Sequence, residues 1–430
     1  MGFRVLLTCK YLPPETEGGG ALTVAALARA LAAEGVGVTI VKARSAKDGP
    51  MTTWEGLRVV ETEYRDRFDY RATGMPDFYA HLTAKTFNHR SYRRAIRRAL
   101  EEERFDLVHA QNHTTALAAA SLRDETRLPL AATLRGHGLW CFVLGKCLPD
   151  GSSCSGCVTE NQIPCLGGQG LLRSPRIIPA LGAMKAWMAF QDRLARRIDL
   201  MLPISSAMAE HAIRYGRPVR VVPDLVEELD DAATPMPSAA AAALAERAPD
   251  QRVALYAGRL APNKGLDLVL DAAARSPRWL FLVAGEGGEL TRLRERAASE
   301  QLDNVRFLGW VPNAAMASVY GAADVVLLPF LREEPLSRGM VEALSRGRAL
   351  AATAHGGPLD AVEDGRNGVL FAPEPGALAS ALERLDRLDL AALGKRSRTI
   401  YLERFSPRGV VRAHLDAYDW LLTSSGGGGV

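Results

Sequence analysis

Two glutamates near the start of a predicted helix are the residues best suited to bind a ligand. Glu334 follows an apolar run typical of a buried strand, residues 324–328, and Glu342 lies one turn into a helix expected to begin near residues 336–338. Because helical side chains lean towards the N-terminus, both carboxylates are expected near the N-terminal end of this helix. A helix N-terminus favours phosphate, and carboxylates accept hydrogen bonds from hydroxyl groups. A nucleotide sugar offers both features, although acids also occur in first helical turns for dipole reasons alone.

The residues that begin this helix are further candidates for ligand contact. Pro335 suits a first helical turn, and Ser337 is predicted to cap the free backbone donors there. Ser337, Arg338 and Gly339 would then present the helix N-terminus to a phosphate group.

A second loop carries two cations. The apolar strand at residues 253–256 ends in Gly258-Arg259-Leu260, and Lys264-Gly265 precedes the next predicted helix. Arg259 and Lys264 can neutralise a diphosphate, because a charge-assisted hydrogen bond contributes about 1.5–3 kcal/mol. Two exposed cations on a turn are the alternative interpretation.

A glycine-rich loop joins the first predicted strand to the first predicted helix. Gly19 and Gly20 in this loop would let a ligand approach the backbone closely. The loop lacks the GxGxxG spacing of dinucleotide-binding proteins, so a flexible turn is the alternative.

An alternation of strands and helices, repeated in two halves of the chain, positions these loops. Short apolar runs such as residues 4–8, 130–134 and 325–328 predict buried parallel strands, which alternate with helical patterns. The Ala-, Pro- and acid-rich stretch 223–250 interrupts the alternation and predicts a linker or domain boundary. The sequence therefore predicts an α/β protein of two doubly wound parallel-sheet domains facing each other across a cleft, with ligands at the carboxyl ends of strands.

The composition is that of an ordinary globular chain. Of the 430 residues, 47% are hydrophobic and 24% are charged. No apolar run approaches the roughly 18 residues of a membrane span, and the first apolar run is too short for a signal peptide, so a cytoplasmic protein is expected. Residues 1–223 contain 30 Lys and Arg against 21 Asp and Glu. An anionic partner is therefore expected on the N-terminal half.

A series of motifs together resembles the GT4 family of retaining nucleotide-sugar glycosyltransferases, which have the GT-B fold. The motifs are Gly258-Arg259-Leu260 with Lys264-Gly265, Ala284-Gly285-Glu286-Gly287, Val305-Arg306-Phe307-Leu308-Gly309, Glu334-Pro335 with Glu342-Ala343-Leu344, Gly356-Gly357, and Asp364-Gly365 with Asn367-Gly368. The match is dense from about residue 253 to 373 and looser before it, where the glycine loop, His137 and Pro203-Ile204-Ser205 resemble the acceptor-side domain.

The resemblance implies three parts of the chain. Residues 1–223 would form an acceptor-side Rossmann-like domain, and residues 224–405 would form the nucleotide-sugar domain. Residues 406–424 would form a C-terminal helix that crosses back to the first domain.

The resemblance also implies roles for single residues. Glu342 would bind the ribose hydroxyls of the donor, Glu334 the hydroxyls of the donor sugar, and Arg259 with Lys264 the diphosphate. His137 would lie near the scissile bond. Transfer would retain the configuration at the anomeric carbon and need no divalent ion, because no acidic pair of the DxD kind lies on an N-terminal-domain loop. No cofactor beyond the nucleotide-sugar donor is expected for catalysis.

Five of the six cysteines lie in one segment, residues 141–165. They are Cys141, Cys147, Cys154, Cys157 and Cys165. The closely spaced Cys154 and Cys157 are typical of a zinc site that other cysteines complete, and four thiolates would make that site structural. Zinc is favoured over disulfides in a cytoplasmic chain, with free thiols and an iron–sulfur cluster as alternatives.

The acceptor is expected to be a glycan, a lipid-linked saccharide or a small molecule. The basic N-terminal half favours an anionic lipid-linked or polysaccharide acceptor. The aromatic and basic helix predicted at residues 184–197 can contact an anionic membrane, although such helices are more often exposed faces over an ordinary core. Nucleic acid is not expected, since no known binding module is present. A nucleotide-sugar epimerase, another enzyme of the GT-B fold and a non-catalytic metal-binding protein are the alternative functions.

Overall fold

The described part of the chain forms two units with separate sheets. The computed structural model describes residues 2–14, 18–44, 50–65, 77–142, 154, 157, 159–166, 177–229 and 235–426. The front unit comprises residues 1–225 and 411–430, and the rear unit comprises residues 226–410.

The front unit contains a seven-stranded sheet. Its strands are β1 (Arg4–Thr8), β2 (Gly37–Ala43), β3 (Thr53–Trp54), β4 (Leu57–Thr62), β5 (Leu107–Ala110), β6 (Leu130–Leu134) and β7 (Leu200–Pro203), in the order β3-β4-β2-β1-β5-β6-β7. All neighbours pair in parallel except β3 and β4, which form a short antiparallel hairpin. The apolar β1, β5, β6 and β7 are buried along nearly their whole length, as expected for strands covered on both faces.

Helices connect and cover these strands. They are α1 (Gly19–Ala33), α2 (Asp77–Glu102), α3 (His113–Ala120), α4 (Arg123–Thr126), α5 (Thr159–Leu166), α6 (Ile177–Ala195) and α7 (Ser206–Ala212). The arginine-rich residues 90–98 lie in the second half of α2. Among the described residues, none of the helices combines the length and apolar character that crossing a bilayer requires.

The rear unit contains a six-stranded parallel sheet. Its strands are β8 (Arg252–Ala257), β9 (Trp279–Ala284), β10 (Val305–Gly309), β11 (Val325–Leu328), β12 (Ala349–Thr353) and β13 (Gly368–Phe371), in the order β10-β9-β8-β11-β12-β13. The chain order therefore reverses between β8 and β11. Such a reversal leaves a crevice at the carboxyl ends of the two strands, and ligands of doubly wound sheets bind there.

The helices of the rear unit enclose a continuous apolar core. They are α8 (Ser238–Ala245), α9 (Leu266–Arg275), α10 (Leu290–Ser299), α11 (Met316–Ala322), α12 (Arg338–Ser345), α13 (Ala377–Asp386) and α14 (Leu390–Ile400). Leu266, Val269 and Leu270 of α9 pack into this core beside Phe281 of β9. Burial of each such side chain contributes about 1.5–3 kcal/mol, which fixes α9 and the loop before it.

A final helix, α15 (Pro407–Gly426), returns to the front unit from residue 411 onward. The hydroxyl of its Tyr418 lies 2.6 Å from Nδ1 of His109 in β5, and its ring packs edge-on against Phe3. The guanidinium of Arg220 lies 4.8 Å from the ring of Trp420. The front unit is therefore built from two separated parts of the sequence.

The stretch 223–250, predicted as a linker or domain boundary, contains the division between the two units at residues 225 and 226. It also contains the helix α8, because its run of alanines has high helix propensity. One expectation about local structure was wrong. Ser337 occupies the N-cap position of α12, but its side chain accepts no capping hydrogen bond.

Candidate functional site

The crevice between β8 and β11 is formed by two loops that contact each other. The backbone N–H of Leu331, after β11, donates to the carbonyl of Asn263, after β8, at 3.1 Å. Gly265 has a φ of +71°, and a β-carbon there would lie 1.8 Å from the Pro329 carbonyl oxygen. Only glycine combines this conformation with so close an approach. The glycine of the predicted Lys264-Gly265 motif therefore brings the two loops together.

Lys264 and Glu334 form an ion pair across these loops. Nζ of Lys264 donates to Oε2 of Glu334 at 2.8 Å, and the two side chains are 15% and 18% exposed. The Lys264 ammonium also lies 4.9 Å from the centre of the Phe330 ring. The pair is shielded enough to be ordered, and it remains open enough to be reached by a ligand.

Glu342 is buried at the base of the same crevice and is only 6% exposed. Its Oε1 accepts a hydrogen bond from Nε of Arg338 at 2.7 Å, and its Oε2 accepts one from the hydroxyl of Tyr320 at 3.0 Å. Burial raises the pKa of this carboxyl group, while Arg338 and the Tyr320 hydroxyl oppose the increase. The carboxylate is therefore oriented from two sides before any ligand arrives.

The N-terminus of α12 lies above this carboxylate. Ser337 and Arg338 begin the helix, and Met340, Val341 and Leu344 anchor it in the core. A β-carbon on Gly339 would lie 3.0 Å from the Tyr320 hydroxyl and 3.1 Å from the Ala257 carbonyl. The first turn of α12 thus packs against the carboxyl end of β8, so its free N–H groups face the crevice region.

A tyrosine holds the loop that carries Arg259. The hydroxyl of Tyr256 donates to the Arg259 carbonyl at 2.9 Å, and burial, together with the negative charge of Glu334, raises the pKa of Tyr256. The Arg259 side chain is exposed. The structure thus fixes the backbone of this loop and leaves its guanidinium accessible.

The glycine pair after β12 forms a further wall of the crevice. The N–H of Gly357 donates to the Glu334 carbonyl at 2.7 Å, and a β-carbon on Gly357 would lie 2.3 Å from the Pro335 carbonyl. The loop that carries Glu334 is therefore held on one side by residue 263 and on the other by residue 357.

The front-unit candidates lie at the carboxyl ends of their own strands. Gly19 and Gly20 are the first residues of α1, which follows β1. His137 begins a 3-10 turn after β6, is 5% exposed, and accepts a hydrogen bond on Nδ1 from the Trp140 indole at 3.1 Å. The His211 ring lies 5.7 Å from the His137 ring.

Three of the described cysteines, Cys141, Cys154 and Cys157, lie near one another without forming a complete metal site. Cys141 and Cys154 influence the titration of Cys157, whose pKa is raised chiefly by burial. Among the described residues, no three cysteine sulfurs lie within 4.8 Å of one another, whereas thiolates on one zinc ion lie closer. Cys147 lies outside the described residues, so the predicted zinc site stays a prediction.

Sequence reasoning missed the two tyrosines of this site. Tyr320 lies on the buried face of α11, and Tyr256 lies in the buried strand β8. Both positions are typical of core aromatic residues. A hydroxyl group at a buried position, which usually has a hydrogen-bond partner, was the only signal available.

Two family models match most of the chain. Residues 18–224 match the model described as glycosyl transferase 4-like domain, and residues 243–399 match the model described as glycosyl transferases group 1. The second match contains Arg259, Lys264, Glu334 and Glu342.

Individual proteins show the same similarity. Glycogen synthase of Thermus thermophilus is 38% identical over 172 residues, which are 39% of this chain and 38% of that protein. D-inositol 3-phosphate glycosyltransferase of Segniliparus rotundus is 32% identical over 254 residues, 55% of this chain and 52% of that protein. The alignments thus span well under two thirds of either relative.

A solved structure matches over nearly the whole length. Sucrose-phosphate synthase from Thermosynechococcus elongatus superposes with a TM-score of 0.70 over 98% of this chain and 100% of that chain. The sequence identity is 20%, so this likeness shows a common fold.

Proposed function

Because the chain belongs to the GT4-type glycosyltransferases, we propose that it transfers a sugar from a nucleotide-sugar donor to a hydroxyl group of an acceptor. The relatives described above are a glycogen synthase and a glycosyltransferase. None of these similarities favours a nucleotide-sugar epimerase or a non-catalytic metal-binding protein.

The observation that carries the proposal is the set of charged groups at the crevice between β8 and β11. Lys264 and Glu334 pair across two loops, and Glu342 is held by Arg338 and Tyr320 beneath them. A ligand with a diphosphate between hydroxyl-bearing groups would use both the cations and the carboxylates. A nucleotide sugar is such a ligand.

The proposed roles follow from these positions. Glu342 would accept hydrogen bonds from the ribose hydroxyls, and Glu334 from the donor sugar. Lys264 and Arg259 would bind the diphosphate, and Lys264 would exchange part of its contact with Glu334 for the phosphate oxygens. The backbone of Ser337, Arg338 and Gly339 at the start of α12 would add N–H donors.

On the front unit, Gly19, Gly20 and His137 are proposed to serve the acceptor side. Each lies at or just beyond the carboxyl end of a strand, which is the ligand-binding edge of doubly wound sheets. The Nδ1 atom of His137 accepts the Trp140 indole N–H, so a neutral imidazole carries its proton on Nε2.

We further propose that transfer retains the anomeric configuration and needs no divalent ion. The leaving diphosphate gains negative charge in the transition state, and Lys264, Arg259 and the N-terminus of α12 can stabilise that charge. Analysis of the product anomer by NMR would test retention, and activity in the presence of EDTA would test metal independence.

A structural zinc ion in the cysteine segment is a separate proposal. Burial chiefly raises the pKa of Cys157, and the nearby Cys141 and Cys154 add to this increase. The nearness of these three groups supports the proposal, because one zinc ion is bound by neighbouring thiolates. Zinc content of the purified protein, measured before and after substitution of Cys154 and Cys157 by serine, would test it. Unchanged zinc in that variant, or none in the wild type, would exclude the site.

The first test of the donor site is a thermal-shift panel of UDP-, GDP-, ADP-, CDP- and TDP-sugars on the wild type and on Glu342→Ala. We expect one nucleotide to stabilise the wild type selectively, with the effect lost in Glu342→Ala and unaffected by mild chelation. The absence of stabilisation by every nucleotide would overturn the proposed function.

A further inference from the structure

A groove of about 750 Å³ lies on the front unit, outside the residues discussed so far. It is lined by Arg65 and by one face of α2 from Leu82 to Arg97, and it is here called the arginine groove. Its volume falls within the range of about 300–1,000 Å³ that is typical of small-ligand sites.

The arginines of α2 share one side of the helix. Arg90, Arg93, Arg94 and Arg97 are separated by three or four residues, the spacing that places side chains next to each other along a helix. Arg65 adds a fifth guanidinium group from the loop after β4. Five cations therefore line one concave surface.

These charges are only partly neutralised. Arg93 and Arg97 both pair with Glu125, with N–O distances of 2.6 and 2.5 Å. Arg90 and Arg94 are exposed, and within the described ranges neither forms an ion pair. Burial, with the nearby charges of Arg93 and Arg90, lowers the pKa of His89 to about 4. The groove is therefore strongly positive and has cations available to a ligand.

The groove is also ordered in advance of binding. The Arg65 guanidinium lies over the Phe87 ring, 4.1 Å from its centre. The side chain of the buried Asn88 accepts a hydrogen bond from the backbone N–H of Arg65 at 2.8 Å and donates one to the backbone carbonyl of Arg65 at 2.9 Å. A guanidinium group fixed in this way loses less conformational freedom when it binds an anion.

Its position connects the groove to the ligand-binding edge of the front sheet. Arg65 follows the carboxyl end of β4 by three residues. At the same edge, the Lys10 ammonium lies 4.8 Å from the Tyr11 ring centre and 4.7 Å from that of Tyr64. Aromatic rings beside cations suit a saccharide that bears negative charge.

We propose that the arginine groove binds anionic groups, phosphate or carboxylate, on the saccharide acceptor of this enzyme. The role of the saccharide as an acceptor rests on the proposed function. The binding of an anionic saccharide by the groove does not, because it is inferred from the contacts of the groove itself. Arg90 and Arg94 provide the charge-assisted hydrogen bonds, and Arg65 forms the end of the groove nearest the sheet edge.

A discrete saccharide fits the groove better than a lipid surface does. The cations line a concavity rather than a protruding face, and Arg65 covers the Phe87 ring that would otherwise insert into a bilayer.

The test compares the wild type with the double variant Arg90→Gln/Arg94→Gln and a charge-matched control, Arg104→Gln/Arg408→Gln. The control arginines are also exposed and form no ion pair with the described residues. The probes are trigalacturonate, maltotriose phosphate and neutral maltotriose, measured by calorimetry at low and high salt. Vesicles of neutral lipid with and without phosphatidylglycerol form a separate arm.

We expect at least one anionic saccharide to bind the wild type more tightly than maltotriose does. This preference should weaken about tenfold or more in the groove variant, remain in the control, and decrease with salt. An equal loss of affinity for the anionic saccharides in both double variants would overturn the proposal. The absence of any preference of the wild type for the anionic probes would also overturn it. Groove-dependent binding of phosphatidylglycerol vesicles without saccharide binding would overturn it in favour of a membrane surface.

The nucleotide panel separates this inference from the proposed function. Stabilisation by the donor nucleotide should be the same in the wild type and in both double variants, because the groove lies on the front unit. If the protein binds anionic saccharides in the groove but is stabilised by no nucleotide, the groove is a saccharide-binding site and the proposed transferase function is overturned.

Discussion

At the scale of single residues, Glu342 gives the site a specific dependence on pH. Burial raises its pKa above the ordinary value of 4.5. The folded protein therefore holds this proton more tightly than the unfolded chain does. The resulting stability is fully present below the ordinary pKa and is lost as the pH rises through the raised pKa. Glu342→Gln cannot ionise, so this contribution to the pH dependence disappears in the variant.

Urea denaturation of the wild type and Glu342→Gln between about pH 4 and 7 measures this effect. The stability of the wild type relative to the variant should decrease with increasing pH and then level off. A difference that stays constant would show that Arg338 and Tyr320 offset the effect of burial, and one that grows with pH would show that they outweigh it.

Lys264 gives a second prediction at this scale. Lys264→Met should weaken binding of the cognate nucleoside diphosphate about tenfold to a hundredfold, because a charge-assisted contact to phosphate is lost. Binding of the corresponding monophosphate should weaken less, since it lacks the second phosphate group. Isothermal titration with both nucleotides measures the difference.

Arg366→Met is the matched control for Lys264→Met. Arg366 lies in the same unit and pairs with Glu363 at 3.6 Å, but its side chain is 71% exposed. An equal loss of affinity in the two variants would mean that net charge, not the position of Lys264, governs binding.

For the crevice between β8 and β11, the sequence predicted which residues take part better than it predicted the contacts between them. Glu334, Glu342 and Lys264 were identified from residue type and loop position, and they do lie at the crevice between β8 and β11. The Lys264–Glu334 pair and the Tyr320–Glu342 hydrogen bond were not predicted, because they join residues 70 and 22 positions apart. Such contacts depend on strand order, which local patterns do not specify.

At the scale of elements, the crevice depends on how closely its loops approach. Gly265→Ala places a β-carbon against the Pro329 carbonyl and strains a backbone with a φ of +71°. The strain alone costs about 1–2 kcal/mol, and overpacking adds about 1–3 kcal/mol. We therefore expect reduced stability in urea denaturation together with weaker nucleotide binding.

Gly365→Ala separates the two effects of Gly265→Ala. Gly365 has nearly the same φ, +75°, but no atom lies within 4 Å of an added β-carbon. Gly365→Ala should therefore lose the stability that backbone strain alone costs, without the contribution of a steric contact. If both variants lose the same stability and both bind nucleotide normally, the close approach of the loops is not needed for the site.

Strands marked by a continuous apolar run were predicted well. Features that depend on pairing with another part of the chain were not. The strands β1 and β6 begin and end where the apolar runs predicted. The two-residue strand β3 escaped prediction because only its antiparallel pairing with β4 defines it. The cap expected from Ser337 is absent because a suitable residue type does not fix the direction of its hydroxyl group.

At the scale of the whole molecule, the predicted class of two Rossmann-like parallel-sheet domains with the GT-B fold is confirmed. Repeated strand and helix alternation predicted the two doubly wound sheets, since it leaves few ways to bury both faces of a sheet. The GT-B fold itself was implied by the family resemblance. Transfer of a sugar, retention and the zinc site are proposals that the tests above address, and the domain boundaries inferred from the family stay predictions.

The C-terminal helix provides a prediction at this scale. Tyr418→Phe removes the hydrogen bond to the fully buried His109 and should cost about 1–3 kcal/mol. Amide hydrogen exchange should increase in β5 of the front unit and stay unchanged in α9 of the rear unit. Thr423→Ala, at an exposed position of the same helix, should change stability by no more than about 0.5 kcal/mol. Equal protection of β5 in Tyr418→Phe and the wild type would contradict the prediction.

The return of residues 411–426 to the front unit has a consequence for synthesis on the ribosome. Domains generally fold in the order in which they are made, yet the first domain of this chain lacks a helix until the second has been translated. We therefore expect nascent chains stalled near residue 410 to contain a protease-resistant rear unit and a protease-sensitive front unit, provided that the stalled residues have left the exit tunnel. Resistance of both units in such chains would show that the front unit matures without its helix. The part of the protein that is translated first would otherwise be the last to be completed.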